Sequence, residues 1–233
     1  MRILITGSDQ PLGALAARAL RADPAEHEIL LTGAQALTPA GLDDLRYTPA
    51  DLRDPAQVTP LLEGVQAVLH LAPHTPVATP THASEGEALD LAARGTFVLL
   101  HAALAAGVER LVLGSRLDVM AGYPEEYVVD ETWKPQPAAT AAALAPYMAE
   151  LSVREFVRAE SLLAICLRLG DLGSDPAGTT PEDAEAALLK AVTTDFSGNK
   201  YRWRLYHICS TDRYPLGAAS HGPFQFQRAG AAA

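Results

Sequence analysis

The sequence predicts an α/β domain, a doubly wound parallel sheet with a small C-terminal appendage, and two observations carry that expectation. The first is the opening stretch. A short apolar run, Arg2-Ile3-Leu4-Ile5-Thr6, is followed by the turn Gly7-Ser8-Asp9-Gln10-Pro11-Leu12-Gly13 and then by an alanine-rich helix, Ala14 to Arg21. A strand feeding a glycine turn and a helix aims unpaired N–H groups and the positive end of the helix dipole at a diphosphate. The second is the recurrence of strand-length apolar runs separated by helix-length segments, the pattern of a parallel sheet with helical crossovers.

Bulk properties narrow the class. A chain of 233 residues suits one domain, or one domain with a small appendage, and is long enough for a sizeable core. A net charge of −10 without a basic cluster excludes nucleic acid as the expected partner. No signal precedes the first strand, and no apolar run reaches the roughly 20 residues that span a bilayer. A soluble, cytoplasmic protein with no membrane partner is expected. Cys166 and Cys209 both fall in apolar strand-like runs and read as buried free thiols. The seven histidines are scattered without metal-ligand spacing, so no metal is expected.

In chain order, Glu28 to Gly33 reads as the second strand, Leu45 to Thr48 as the third and Val65 to Leu71 as the fourth. Pro73 to Thr81 is a proline-rich loop. Ala83 to Ala106 forms a long helix that Gly107 stops. Strand five is Arg110 to Leu113, and a loop follows from Arg116 to Ala138; loops of that length are usually functional. Ala139 to Glu160 is the fifth helix and Leu162 to Leu169 the sixth strand. Beyond them stand a helix, Pro181 to Thr194, a strand, Arg202 to Cys209, and an alanine-rich tail, Ala229 to Ala233, expected to be disordered.

Six stretches at the strand ends resemble one family, the extended short-chain dehydrogenase/reductases of the NAD(P)-dependent epimerase/dehydratase type. Thr6-Gly7 to Gly13 resembles its TGxxGxxG turn, Asp51-Leu52-Arg53-Asp54 its D-L-x-D element, and His70-Leu71-Ala72-Pro73 its H-L-A-A element. Gly95-Thr96 through Leu111-Val112 follows its fourth helix and fifth strand, Ser115 and Tyr147 match its substrate-contacting pair, and Arg168-Leu169-Gly170-Asp171 resembles its L-R-x-G exit. The resemblance implies a Rossmann-like domain over residues 1–172, a reduced substrate-binding part over 173–228 and a tail at 229–233. It implies NAD or NADP held by Gly7, Gln10, Pro11, Leu12, Gly13, Thr32, Asp51, Leu52, Leu71, Ala72, Pro73 and Gly170, with Ser115 and Tyr147 catalytic. A homodimer through helices Ala83–Ala106 and Ala139–Glu160 is also implied. His70 taken alone reads as a packed core histidine.

Three departures bear on the chemistry. Gln10 stands where the family's middle glycine lets the backbone approach the diphosphate, and Pro11 removes one N–H from the same turn. Thr32-Gly33-Ala34 offers neither the acid that selects NAD nor the arginine that selects NADP. The third is the most serious. The family pairs its tyrosine with a lysine one helical turn on, which lowers the phenol's pKa and holds the nicotinamide ribose. Here the residue four after Tyr147 is Leu151, and the chain's only lysines are Lys134, Lys190 and Lys200. Arg116, beside Ser115, is either a replacement cation or a solvated surface residue. Two functions follow: an NAD(P)-dependent oxidoreductase or epimerase acting on a small sugar-like substrate through an altered site, or a non-catalytic nucleotide-binding member of the same fold.

Overall fold

The computed structural model describes residues 1–35, 40–74, 81–160, 162–173, 178–198, 200–209 and 211–228. The tail expected to be disordered, and most of the expected loop at 73–81, lie outside the described residues. Seven strands form one parallel sheet: β1 (Arg2–Thr6), β2 (Glu28–Thr32), β3 (Arg46–Tyr47), β4 (Ala67–His70), β5 (Arg110–Arg116), β6 (Leu163–Leu169) and β7 (Trp203–Ile208). Their spatial order is 3-2-1-4-5-6-7. The chain therefore winds outward from β1 and then returns to build the other half from β4. A crevice opens at the carboxyl ends of the strands where the winding reverses, between β1 and β4.

Alternation along each strand divides the core in two. Ile3 and Ile5 of β1 face one layer, where they pack with Leu12, Ala16 and Leu20 of α1 (Pro11–Ala22) and Ala184, Leu188 and Ala191 of α6 (Pro181–Thr193). Leu4 of the same strand faces the other layer. That layer holds Val58 of α2 (Pro55–Val58), Leu99, Leu100 and Ala103 of α4 (Thr96–Ala105), and Ala149, Val153 and Val157 of α5 (Ala141–Ala159). Each fully buried aliphatic side chain contributes about 1.5–3 kcal/mol relative to exposure. Both faces of the sheet are thus covered, as an all-parallel sheet requires.

Local chemistry sets the helix starts. Thr140 and Thr180 cap α5 and α6 by accepting from the N–H of Ala143 and Asp183, and Glu182 and Asp183 suit the positive end of α6. Proline occupies the first turn of α1 and α6, where its missing N–H costs nothing. Beyond Leu172 the chain builds onto the same sheet. β7 pairs in parallel with β6, and Phe224 and Phe226 are buried in the α1/α6 layer, Phe224 stacking on Tyr206 at 4.3 Å.

Two elements differ from expectation. The helix expected as one piece is α3 (His82–Asp90), a π-helical turn at Leu91–Gly95, and α4. At that turn Gly95 lies against Leu52, so close that a Cβ would stand 3.3 Å from the Leu52 Cβ. The combined run His82–Ala105 is long and apolar enough to cross a membrane by length and composition, contrary to the expectation that no such run exists. Its α4 part covers the sheet, with Leu99, Leu100 and Ala103 buried in the core. Finally, β5 continues to Arg116, because Gly114, Ser115 and Arg116 pair with Leu167, Arg168 and Leu169 of β6. Ser115 is therefore inside the sheet rather than past it.

His70, at the end of β4, is fully buried as a core histidine. Its Nδ1 meets the Thr6 Oγ1 of β1 at 2.8 Å and its Nε2 the Thr96 Oγ1 of α4 at 2.9 Å. Burial pushes His70 down to about 3; burial and nearby arginines push His207 to about 3 and His74 to about 4. In the unfolded chain these rings titrate near their ordinary 6.5. The unfolded state therefore binds protons that the native state refuses, and stability falls as pH drops from about 6.5 towards 4. Urea titrations should show a plateau above pH 7 and a loss of at least about 2 kcal/mol by pH 5. His70→Gln, which keeps hydrogen-bonding capacity without the titration, should lessen that loss.

Candidate functional site

A cavity of about 560 Å³ occupies the crevice. The glycine turn supplies Gly7, Asp9 and Gln10, the end of β2 supplies Thr32, Gly33 and Ala34, and the segment after β3 supplies Ala50 to Arg53. Ala72 and Pro73 follow β4; Ser84, Glu87, Ala88 and Leu91 come from α3 and the π turn, and Ala145 from α5. The volume lies within the range of small-molecule and cofactor sites.

The turn is built by close approach. Gly7 has φ of +68°, and a Cβ on it would stand 2.7 Å from the backbone nitrogen of Ala72. A Cβ on Gly13 would overlap the Gly7 carbonyl. Only glycine at both positions lets α1 sit directly on the turn and the turn against the exit of β4. Gln10 is the residue before α1; its N–H donates to the Gly7 carbonyl at 3.0 Å and its side chain makes no cap bond. Ser8 ties the turn to β2 by donating its N–H and Oγ–H to the Thr32 carbonyl at 3.1 and 3.0 Å. Asp9 goes one residue further. Its Oδ2 accepts from the N–H of Ala34 at 2.9 Å and of Gln35 at 3.0 Å.

Asp51 is held by Arg53, which donates to both carboxylate oxygens at 2.8 Å and reaches Asp90 at 3.3 Å. The bonded guanidinium keeps the Asp51 carboxyl below its usual range. Leu52 is buried beneath them.

Past the cavity the arrangement changes character. Ser115 is fully buried and its hydroxyl donates to Glu150 Oε1 at 2.5 Å. Arg168 of β6 donates its Nε to the same oxygen at 2.8 Å and its Nη2 to Oε2 at 2.7 Å, a bidentate ion pair. The other arm of Arg168 contacts Met120 Sδ and His207 Nε2, at 3.2 and 3.3 Å. Burial, reinforced by the Glu150 charge, pushes the neighbouring Cys166 thiol well up, and neither of the buried cysteines, Cys166 and Cys209, forms a disulfide. Tyr147 is half-buried and packs against Leu117, Val119, Met120, Val129, Cys209 and Tyr214.

Arg116 is neither solvated nor a free replacement cation. Its side chain is buried, bonded to Asp118 at 3.0 Å and Asp171 at 2.7 Å, with the His74 carbonyl at 3.4 Å.

Of the residues expected to hold a cofactor, Gly7, Gln10, Thr32, Asp51, Leu52, Ala72 and Pro73 line the cavity. Pro11, Leu12, Gly13 and Leu71 do not line it; Leu12 and Leu71 are buried behind the turn. The Gly170 N–H is taken by Thr179 Oγ1 at 2.8 Å. Ser115 and Tyr147 do not line it either. Glu150 and Arg168 were not anticipated as a pair. Their signal lay in the sequence: Glu150 shares a helix face with Pro146, Val153 and Val157, all buried, and Arg168 is the one charge in the strand Leu163–Leu169.

A buried pair of this kind is costly to break because the remaining charge is left unpartnered. Glu150→Gln or Arg168→Met alone should destabilise the fold by about 3–5 kcal/mol in urea titrations. The double variant Glu150→Leu/Arg168→Met should recover a large part of that loss.

With this geometry in place, comparison with known proteins gives consistent results. No curated protein matches the chain. Among solved structures, glucuronic acid dehydrogenase from Chromohalobacter salexigens superposes with a TM-score of 0.80 at 18% identity, over 98% of this chain and 84% of that one. A mutated uronate dehydrogenase gives 0.79 at 18% identity, over 98% and 81%. A short-chain dehydrogenase/reductase superfamily protein from Agrobacterium tumefaciens, crystallised with NAD, gives 0.65 at 26% identity, over 85% and 54%. The family model "NAD dependent epimerase/dehydratase family" matches residues 3–208. This chain, a seven-stranded Rossmann-like parallel sheet, belongs to the NAD-dependent epimerase/dehydratase family.

Proposed function

We propose that this protein binds NAD(P) in the cavity at the β1/β4 crevice and acts as a non-catalytic, dinucleotide-responsive member of its family. The observation that carries this reading is the state of Ser115. Its one hydroxyl proton is committed at 2.5 Å to a buried carboxylate that Arg168 holds in place. A proton donated to Glu150 is not available to a substrate oxygen. Leu151 meanwhile supplies no cation beside Tyr147, and Arg116 is neutralised by two aspartates. The cofactor half, by contrast, keeps an open cavity. In this reading Gly7 and Gln10 would face the diphosphate, Asp51 and Leu52 the adenine, and Ala72 and Pro73 the ribose next to the nicotinamide. A bound dinucleotide would offer hydride chemistry; among the described residues no assembled acid–base pair stands ready to use it.

Retention of Tyr147 favours a second reading, a slow oxidoreductase acting on a small sugar-like substrate. Differential scanning fluorimetry with NAD, NADH, NADP and NADPH should raise the melting point. Hydride transfer on a panel of uronates, sugar nucleotides and simple alcohols should be absent near pH 7. Leu151→Lys, at a half-buried position, should fold yet remain inactive, because Ser115 stays engaged by Glu150. Robust turnover by the wild type, lost in Tyr147→Phe, would establish the oxidoreductase instead.

The protein is proposed to be a homodimer through the α3–α4 and α5 faces. Phe97 of α4 is 50% exposed and forms an edge-to-face cluster with His101 and Phe156 of α5 at centroid distances of 4.5–5.6 Å. An exposed aromatic cluster of this kind suits an interface. Light scattering at tens of micromolar should show a dimer, and Phe97→Glu a monomer.

A further inference from the structure

We infer that Asp9 is the residue that makes this pocket choose NAD over NADP, doing from the glycine turn what the end of β2 does not do. The inference rests on the proposed cofactor site and names which dinucleotide it takes. β2 ends at Thr32, and neither Thr32 nor the Gly33-Ala34 that follow it supplies an acid at that end. The Asp9 carboxylate fills that place, pinned by the N–H groups of Ala34 and Gln35 on one oxygen, Oδ2, while the side chain lines the cavity. Gly33 is what admits it. A Cβ on Gly33 would overlap Oδ1 and crowd Oδ2 at 2.8 Å, so a side chain there and the Asp9 carboxylate exclude one another. The absence of a side chain at Gly33 thus leaves the space that the Asp9 carboxylate occupies.

The consequence is electrostatic. A ribose with both hydroxyls free can donate to a carboxylate oxygen, whereas a 2′-phosphate brings about two negative charges against it. The cavity lining offers little relief, with Arg94 acting on Asp51 only from outside it. Among the described residues lining the cavity, the charges are the carboxylates of Asp9, Asp51 and Glu87 and the single guanidinium of Arg53. That guanidinium is already bonded to Asp51 and Asp90. Residues 36–39 and 75–80, which flank the cavity in sequence, include no charged residue.

The test uses the full chain and isothermal titration with NAD and with NADP. The wild type should bind NAD at least about tenfold more tightly. Asp9→Asn keeps an acceptor for Ala34 and Gln35 and removes the charge, so it should fold and melt like the wild type. It should also bring the NAD-to-NADP affinity ratio to within about threefold, mainly by tightening NADP. An unchanged ratio in Asp9→Asn would overturn the role of Asp9 and leave the cofactor site standing. Failure of the wild type to bind either dinucleotide would overturn both. A second measurement does not need the variant: raising the salt concentration on the wild type should shrink the preference, because repulsion between charges is screened. A ratio indifferent to salt counts against the inference.

Discussion

Backbone contact at the β1/β4 reversal is the constraint on which the remainder of the structure depends. Gly7 lies so close to Ala72, and Gly13 to Gly7, that neither can carry a side chain. The approach fixes the distance between the two central strands' exits and seats α1 over them. His70 reinforces it from below by joining Thr6 of β1 to Thr96 of α4. The cavity is a consequence. Its floor is the tight turn, and its walls are whatever follows β2, β3 and β4. This explains why the turn tolerates Gln10 and Pro11 but not a residue larger than glycine at positions 7 or 13. The first two point to the cavity or to solvent, and the last two face backbone.

The other half of the crevice obeys a different logic. Glu150 and Arg168 each enter an apolar layer only because the other is there, and Ser115 completes the satisfaction of the carboxylate. Such a network favours one fixed arrangement. It also consumes the polar groups that proton transfer would need. The two halves therefore differ in kind: one presents groups to a ligand, the other turns its groups on one another.

Much of the fold was legible because it rests on local signals. The continuous apolar run within Arg2–Thr6, the glycine turn, and Gly107 after a long helix are each visible in a few adjacent residues. Where expectation failed, the decisive partner was remote. The extra length of β5 comes from its ladder with Arg168 and Leu169, more than fifty residues away in the chain. The π turn answers to Leu52 across the layer. In the site, Asp51 and Leu52 could be placed from their position after a strand. Arg116 could not, since one of its two aspartates, Asp171, lies 55 residues away in the chain. Asp9 could not either, because its meaning depends on the emptiness of Gly33, which looks like an ordinary turn glycine when read alone.

The strand order has a consequence for biosynthesis. β1, made before the other six strands, ends at the centre of the finished sheet, with β2 on one side and β4 on the other. As the chain emerges, β2 can pair with β1 after some thirty residues, but the opposite edge stays open until β4 appears nearly forty residues later. The register of β4 against β1 joins residues 64 apart, such as Ile3 and Ala67. Parallel pairings of that separation form slowly. Until β4 is made, the nascent sheet thus carries an apolar, unpaired parallel edge on β1, a condition that invites association with other chains.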